Sequence, residues 1–334
     1  MKKILVAGAG GFIGGHLVSH LLQQGYKVVC ADIKPIEFWF QKFDECKNFS
    51  TDLKEKENCI KVTEGIDLVY NMACNMGGMG FIENNKAECM LSVLINTNLL
   101  LACQKNKVPR YFFSSSACVY NAGKQLKSFI PALKETDAYP ADPEDGYGWE
   151  KLFSERMCRH FTEDFGIHTH VARYHNVYGP MGTYDGGREK APAALCRKII
   201  EAKINNEKSI NIWGDGSQTR SFMYIDDCIE GTQKIVNSSI ADPINLGSEE
   251  QVSINQMIDI IEEIALIKLE RKYLLDKPKG VQGRSSDNGK IIKELEWSPT
   301  IKLKVGLEKT YKWIYDSYIS GDNTKKFTKN NIAE

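Results

Sequence analysis

The feature that most constrains this chain lies at its start. Ile4-Leu5-Val6-Ala7-Gly8-Ala9-Gly10-Gly11-Phe12-Ile13-Gly14 is a short apolar run, then glycines at 8, 11 and 14, then an amphipathic stretch. That order reads as strand, phosphate turn and helix. The first glycine permits the tight turn, the second lets backbone approach a pyrophosphate, and the third lets helix and strand pack closely, while the helix N-terminus supplies amides and a positive dipole. A second apolar run at residues 27–31 ends in Asp32, close to where an acid binds the adenosine ribose hydroxyls of a dinucleotide. An acid there favours NAD over NADP, whose extra phosphate it would repel, although Lys34 nearby works the other way. Gly8, Gly11, Phe12, Ile13, Gly14 and Asp32 are therefore candidate cofactor-binding residues.

Further apolar runs at 68–71, 111–114 and 168–173 alternate with helical segments. Such alternation predicts an α/β fold, a Rossmann-like doubly wound parallel sheet covered by helices on both faces. Ligands on such sheets sit beyond the carboxyl ends of the strands, so chemistry is sought in the residues just after each run. Beyond about residue 175 the regularity falls. Short strands are expected at 210–213 and 243–246, with helices at 254–264 and 305–318. The expected division is an NAD-binding domain over 1–175, with returns from about 220–250. A smaller α/β substrate-capping region, mainly 176–320, follows, and then a polar tail, 321–334, with little to bury.

Forty-three acidic residues balance forty-three Lys and Arg, so no global field points to nucleic acid or an anionic membrane. Ten cysteines are scattered without a CxxC pair. This argues for a reducing, cytoplasmic setting and against a metal site. No stretch is read as approaching the roughly 20 apolar residues of a membrane helix.

Tyr147 and Lys151 stand four apart in Asp-Gly-Tyr-Gly-Trp-Glu-Lys, on one face of a helix, where an ammonium can stabilise phenolate and lower a pKa normally about 10. Tyr147 can then take a proton from a carbinol as hydride leaves its carbon. The end of the run at 111–114 continues as Ser115-Ser116-Ala117-Cys118, and the Ser116 hydroxyl is placed to hydrogen-bond the same reacting oxygen.

These motifs resemble the extended short-chain dehydrogenase/reductase superfamily over nearly the whole chain. The segments at 75–82, 116–118, 173–180, 187–194 and 283–288 are similar to those of its GDP-mannose 3,5-epimerase family. The resemblance implies a redox-neutral enzyme whose tightly held NAD is reduced and reoxidised within one turnover. On that pattern Tyr147, supported by Lys151 and Ser116, helps oxidise C4 of a GDP-linked hexose, and the ketone acidifies C3 and C5. Cys118 is then the base and Lys190 the acid. Substrate-binding positions carried over are Gly77, Gly78, Ser116, Ala117, Cys118, Asn176, Lys190, Lys198, Gln218 and Arg284, with Arg220 as a further candidate. Lys198 and Arg284 are expected on the phosphate side, and Gly77 and Gly78 are expected to let backbone approach the sugar. For the cofactor, Asp52 and Leu53 are expected at the adenine and Asn96 beneath the nicotinamide half. Plant-type members usually carry Asp at Asn75 and Arg at Gln282. A homodimer through the helices near 84–103 and 147–165 is also expected. The alternatives are a 4-dehydrogenase or single-site epimerase on a GDP-linked hexose or heptose. In another class stands a noncatalytic NAD-binding regulator, for which Ser116, Tyr147 and Lys151 would serve no purpose.

Overall fold

The computed structural model describes residues 2–321; apart from Gly321, the expected polar tail lies outside the described residues. The apolar runs form the middle of a parallel sheet. Strands β1 (Lys3–Ala7), β2 (Lys27–Asp32), β3 (Lys47–Ser50), β4 (Leu68–Asn71), β5 (Arg110–Ser116) and β6 (His168–Tyr174) are joined by a short seventh, Ile244–Leu246. Their order is Ile244–Leu246, β6, β5, β4, β1, β2, β3, and every pairing is parallel. Because a strand's side chains alternate between faces, a run buried on both sides must be apolar throughout. In β1, Ile4 and Val6 join one core and Leu5 and Ala7 the other. Helices Phe12–Gln23 and Ile225–Val236 cover the first face. Helices Lys56–Val62, Ser92–Asn106 and Asp145–Phe165 cover the second.

The chain leaves β1 for β2 and β3, then returns to place β4 on β1's other side. This reversal opens a crevice at the carboxyl ends of β1 and β4, the place where such sheets bind ligands. The later part of the chain forms a separate three-stranded sheet of Gln251–Ser253, Thr219–Ser221 and Gly283–Arg284. A strand pair, Ser209–Trp213 with Glu270–Leu274, lies in the same region of the chain. Helices Ala191–Ile204, Ile254–Ala265 and Leu303–Ile319 share one continuous core with the first face of the main sheet.

One sequence expectation is corrected. The helical run 86–106 is long and apolar enough to cross a membrane by length and composition. In the fold it divides at Leu91 into Lys86–Met90 and Ser92–Asn106, both of which pack on helix Asp145–Phe165.

Beneath the crevice, Arg173 of β6 grips Glu155 through two charge-assisted bonds, Nε to Oε1 at 2.9 Å and a terminal nitrogen to Oε2 at 2.8 Å. Both side chains are 3% exposed. Arg173→Met should therefore cost about 3–5 kcal/mol, because it strands a buried carboxylate. Urea unfolding checks this; a loss under 1 kcal/mol contradicts it.

Candidate active site

A cleft of about 600 Å³ opens at the crevice, a size suited to a cofactor-scale ligand. Gly8, Gly11, Phe12, Ile13, Gly14, Asp32, Asp52 and Leu53 line it together with Ser116, Tyr147 and Lys190. The glycine turn is needed sterically. Gly8 sits at φ +83°, and a Cβ on Gly14 would come within 2.1 Å of the Gly8 carbonyl oxygen. Asp32 is 6% exposed and accepts from the Gly10 N–H at 3.0 Å and the Lys34 N–H at 2.9 Å. Lys34 spends its ammonium on the Gly10 carbonyl at 2.7 Å. A fixed carboxylate at the mouth of a glycine turn fits the ribose diol of NAD and opposes a 2′-phosphate.

Helix Asp145–Phe165 brings Tyr147 to the cleft at 4% exposure, beside Ser116. The ammonium of Lys151 lies 5.6 Å from the Tyr147 ring centroid and 3.6 Å from Glu150 Oε2. The expectation that Lys151 lowers the phenol's pKa is not met. Burial pushes Tyr147 well above the usual range, Cys74 and Cys118 add to that, and Ser116 only partly opposes it. Burial also pulls Lys151 down, but Cys74 and Glu150 outweigh it and hold the ammonium up.

Cys118 follows β5 in a single turn of 3₁₀ helix, Ala117–Val119, whose cap is Ser116: its Oγ accepts from the Cys118 N–H at 3.2 Å. Lys190 stands at the start of helix Ala191–Ile204, near enough for its charge to act on the thiol. The cations were expected to lower the thiol's pKa. Instead, burial first and the Glu144 carboxylate second push it up, outweighing Arg284, Ser116 and Lys190. Lys190 is moved the opposite way, downward, by burial, which leaves it a readier proton donor.

Other positions differ from expectation. Arg284 does not face an open phosphate site. Its guanidinium is 3% exposed and donates to Gln125 and Glu144, with one nitrogen 3.6 Å from Cys118 Sγ. Arg220, its neighbour in register on Thr219–Ser221, donates to the carbonyls of Thr219, Lys279 and Val281. Burial and the Arg284 charge push Arg220 down to about 10. Lys198 does not reach the cleft, because its ammonium donates to the Asn211 carbonyl at 2.8 Å. Asn96 is 1% exposed and tied to Tyr111 and Asn71 beneath the sheet's end, not lining the cleft. Asn176 donates to the Ser221 carbonyl and Gln218 to the Trp213 carbonyl, which leaves Gln218 Oε1 buried and unpartnered. Gly77 and Gly78 make room for protein backbone: a Cβ on Gly78 would meet the Glu189 carbonyl oxygen at 2.4 Å. Arg188, which the sequence does not single out, fastens that junction. It donates to Asn75 Oδ1 at 2.9 Å and the Met76 carbonyl at 3.1 Å, with its guanidinium 3.8 Å from the Phe81 ring centroid. Gln282 bridges Ser128 and Ser217. Among the described residues no group of three His, Cys, Asp or Glu side chains could hold a metal ion.

His175, fully buried, hydrogen-bonds Asn245 Oδ1 at 3.0 Å through Nε2, and burial pushes its pKa down to about 3. The unfolded chain takes up that proton below about pH 6.5 and the folded one does not, so stability falls as pH drops from 6.5 toward 3. Between pH 7 and pH 5 the wild type should lose about 2 kcal/mol more than His175→Gln in urea unfolding. Equal losses would contradict this assignment.

A parallel sheet with a glycine turn, an NAD-suited acid and a Ser–Tyr–Lys group at one crevice defines a class. Residues 4–247 match the NAD dependent epimerase/dehydratase family, and the chain belongs to it. It is 46% identical over 314 residues to GDP-mannose 3,5-epimerase 1 of Oryza sativa subsp. japonica, covering 93% of this chain and 81% of that one. To the GDP-mannose 3,5-epimerase of Arabidopsis thaliana it is 45% identical over 314 residues, with 93% and 82% covered. Its fold also matches that of UDP-glucuronic acid 4-epimerase from Bacillus cereus, solved with UDP-glucuronic acid and NAD. There the TM-score is 0.80 and the identity 29%, over 95% of this chain and 100% of that one. The protein is an NAD-dependent nucleotide-sugar epimerase.

Proposed function

We propose that this enzyme interconverts GDP-mannose and its C3 and C5 epimers. The observation that carries the reading is the placing of a cysteine, Cys118, where it shares a field with Lys190 beside the Ser116–Tyr147 pair. Simple oxidation at C4 requires Tyr147 and Lys151 but no thiol. NAD, when bound, supplies a hydride acceptor for C4, a positive charge, and the hydride's return. Tyr147 takes the O4 proton and later gives it back, with Ser116 fixing the oxygen and Lys151 holding charge behind the ring. While C4 is a ketone, the protons on C5 and C3 are acidic. Cys118 removes one from one face and Lys190 supplies one to the other, which inverts the centre. Burial holds both Tyr147 and Cys118 above their usual ranges, so each rests protonated and needs an acceptor for its proton. The test is to incubate the purified enzyme with GDP-mannose and no added NAD, then separate the GDP-sugars. GDP-gulose and GDP-galactose are expected; bound NADH accumulating without epimers would favour a 4-dehydrogenase.

We further propose a homodimer. Met90, Leu91 and Leu94 are exposed on the helical run 86–106, as are Trp149 and Phe153 on the adjoining helix. A second copy covering both would bury them as one apolar patch. Phe153→Lys together with Leu94→Lys should give monomers by sedimentation velocity; a variant still dimeric would exclude this surface. The unpaired cysteines suit the reducing cytoplasm, and the ligand is a GDP-linked sugar rather than a nucleic acid or a membrane.

A further inference from the structure

The Cys118 thiol is flanked by an ion pair that the chemistry above leaves unused. Arg284 spends Nε on Gln125 Oε1 at 2.6 Å, one terminal nitrogen on the Glu144 carboxylate, and places the other 3.6 Å from Cys118 Sγ. Glu144 is tied to the same spot by its backbone, whose N–H donates to the Cys118 carbonyl at 3.2 Å. Its Oε1 accepts from the Val281 N–H at 3.3 Å. Side-chain exposure is 4% for Arg284 and 12% for Glu144. Burying such a pair costs desolvation that its attraction barely returns, so stability alone does not account for it.

What exposure Glu144 keeps is not toward the cofactor cleft. It lines a second cavity of about 620 Å³ with Gln125, Lys277, Lys279 and Gln282, and Cys118 is not part of that lining. Cys118 is in the lining of neither cavity: among its charge and hydrogen-bond neighbours, Ser116 and Lys190 line the first, as does Tyr147, and Glu144 lines the second.

We propose that Glu144 is the proton acceptor for Cys118, and that this proton exchanges with solvent through the second cavity. The proposal rests on the reading of Cys118 as the base at C5 and C3. The S–H bond breaks and an O–H bond forms on Glu144, giving thiolate and neutral carboxylic acid. Arg284 touches both groups, so the net charge of the three is unchanged and the guanidinium holds the anion in either place. The thiolate then takes the sugar proton as that bond's electron pair moves toward the C4 carbonyl, and the Glu144 proton passes to water in the second cavity. Transfer from sulfur to Glu144 runs uphill from the resting state, so the thiolate is transient and is drawn on by its capture of the sugar proton. Burial raises Glu144, but Arg284 outweighs it and holds the carboxyl below its usual range, while burial and Glu144 itself keep Cys118 a thiol. Glu144 acts through Cys118 and is a positioning residue.

The test compares wild type, Glu144→Gln and Glu144→Asp as NAD-loaded enzymes. One arm follows the pH dependence of iodoacetamide alkylation, read by mass spectrometry on the Cys118 peptide; the other follows rapid-quench and steady-state turnover of GDP-mannose. Glu144→Gln removes the negative neighbour and leaves the Arg284 charge, so the alkylation midpoint should move about one pH unit or more downward. Turnover should fall at least about tenfold in the first turnover as in the steady state, since the thiolate must form before each proton is removed. Glu144→Asp should restore part of each. A midpoint within about 0.3 units of wild type overturns the proposal, and so does a shifted midpoint with wild-type steady-state turnover. If Glu144→Gln does not fold, an unmoved midpoint in Glu144→Asp overturns it. Alkylation needs no sugar. A wild type that fails to turn over GDP-mannose therefore rejects the proposed function, while the midpoint still decides the Cys118–Glu144 pair.

Discussion

Tyr147→Phe should leave the enzyme folded and NAD-loaded while lowering GDP-mannose turnover by about 10²–10⁴-fold, the range a positioned acid–base group supplies. The ring keeps its packing against Phe81, Ile82 and Cys89, and only the hydroxyl beside Ser116 is lost, so stability should change by less than about 1 kcal/mol. The effect should fall on kcat, because the O4 proton is transferred only as the C–H bond at C4 breaks. Two readouts check it together: the steady-state rate, and the absorbance of bound NADH after mixing with substrate, which should not rise. A variant that still reduces its cofactor at the wild-type rate would remove Tyr147 from the reaction.

Cys118→Ala is the second large effect, and it should separate the two halves of the chemistry. Tyr147, Ser116 and Lys151 remain, so bound NAD should still be reduced on adding GDP-mannose. Epimer formation should fall by about 10²-fold or more for want of a base. Losing the thiol also removes one of the groups that raise Tyr147. The pH dependence of cofactor reduction should accordingly move toward lower pH. Retained epimerisation would transfer the base role to another group. Loss of both reactions would mean that Cys118 shapes the site rather than serving one step.

These outcomes bear on how far a sequence can be read. The central strands were legible because burial on both faces demands unbroken apolar runs, as in β1 and β4. Edge strand β3, Lys-Asn-Phe-Ser, has no fully buried residue and so no such run. Thr219–Ser221 and Gly283–Arg284 are too short to show any period, yet they bring Arg220 and Arg284 side by side. The cleft's glycines, Asp32, Ser116 and Tyr147 carry local signals, since turn chemistry and strand ends are local. Charge partners are not local. Arg284 meets Glu144 across 140 positions, and no spacing rule marks that acid, three residues before Tyr147, as the neighbour of Cys118. For the same reason the protein partners of Arg284 and Lys198 are not legible in the sequence: a cation's nearest acceptor is chosen by the fold. Gly77 and Gly78 are expected to let backbone approach a sugar, and in the fold the 188–190 backbone already packs against them.

The most direct test of the central claim is proton NMR of GDP-mannose incubated with the purified enzyme in deuterated water without added NAD. Deuterium at both C3 and C5, with gulose and galactose products appearing together, is the predicted result. Deuterium at neither carbon, from an enzyme shown to hold NAD, would contradict the account.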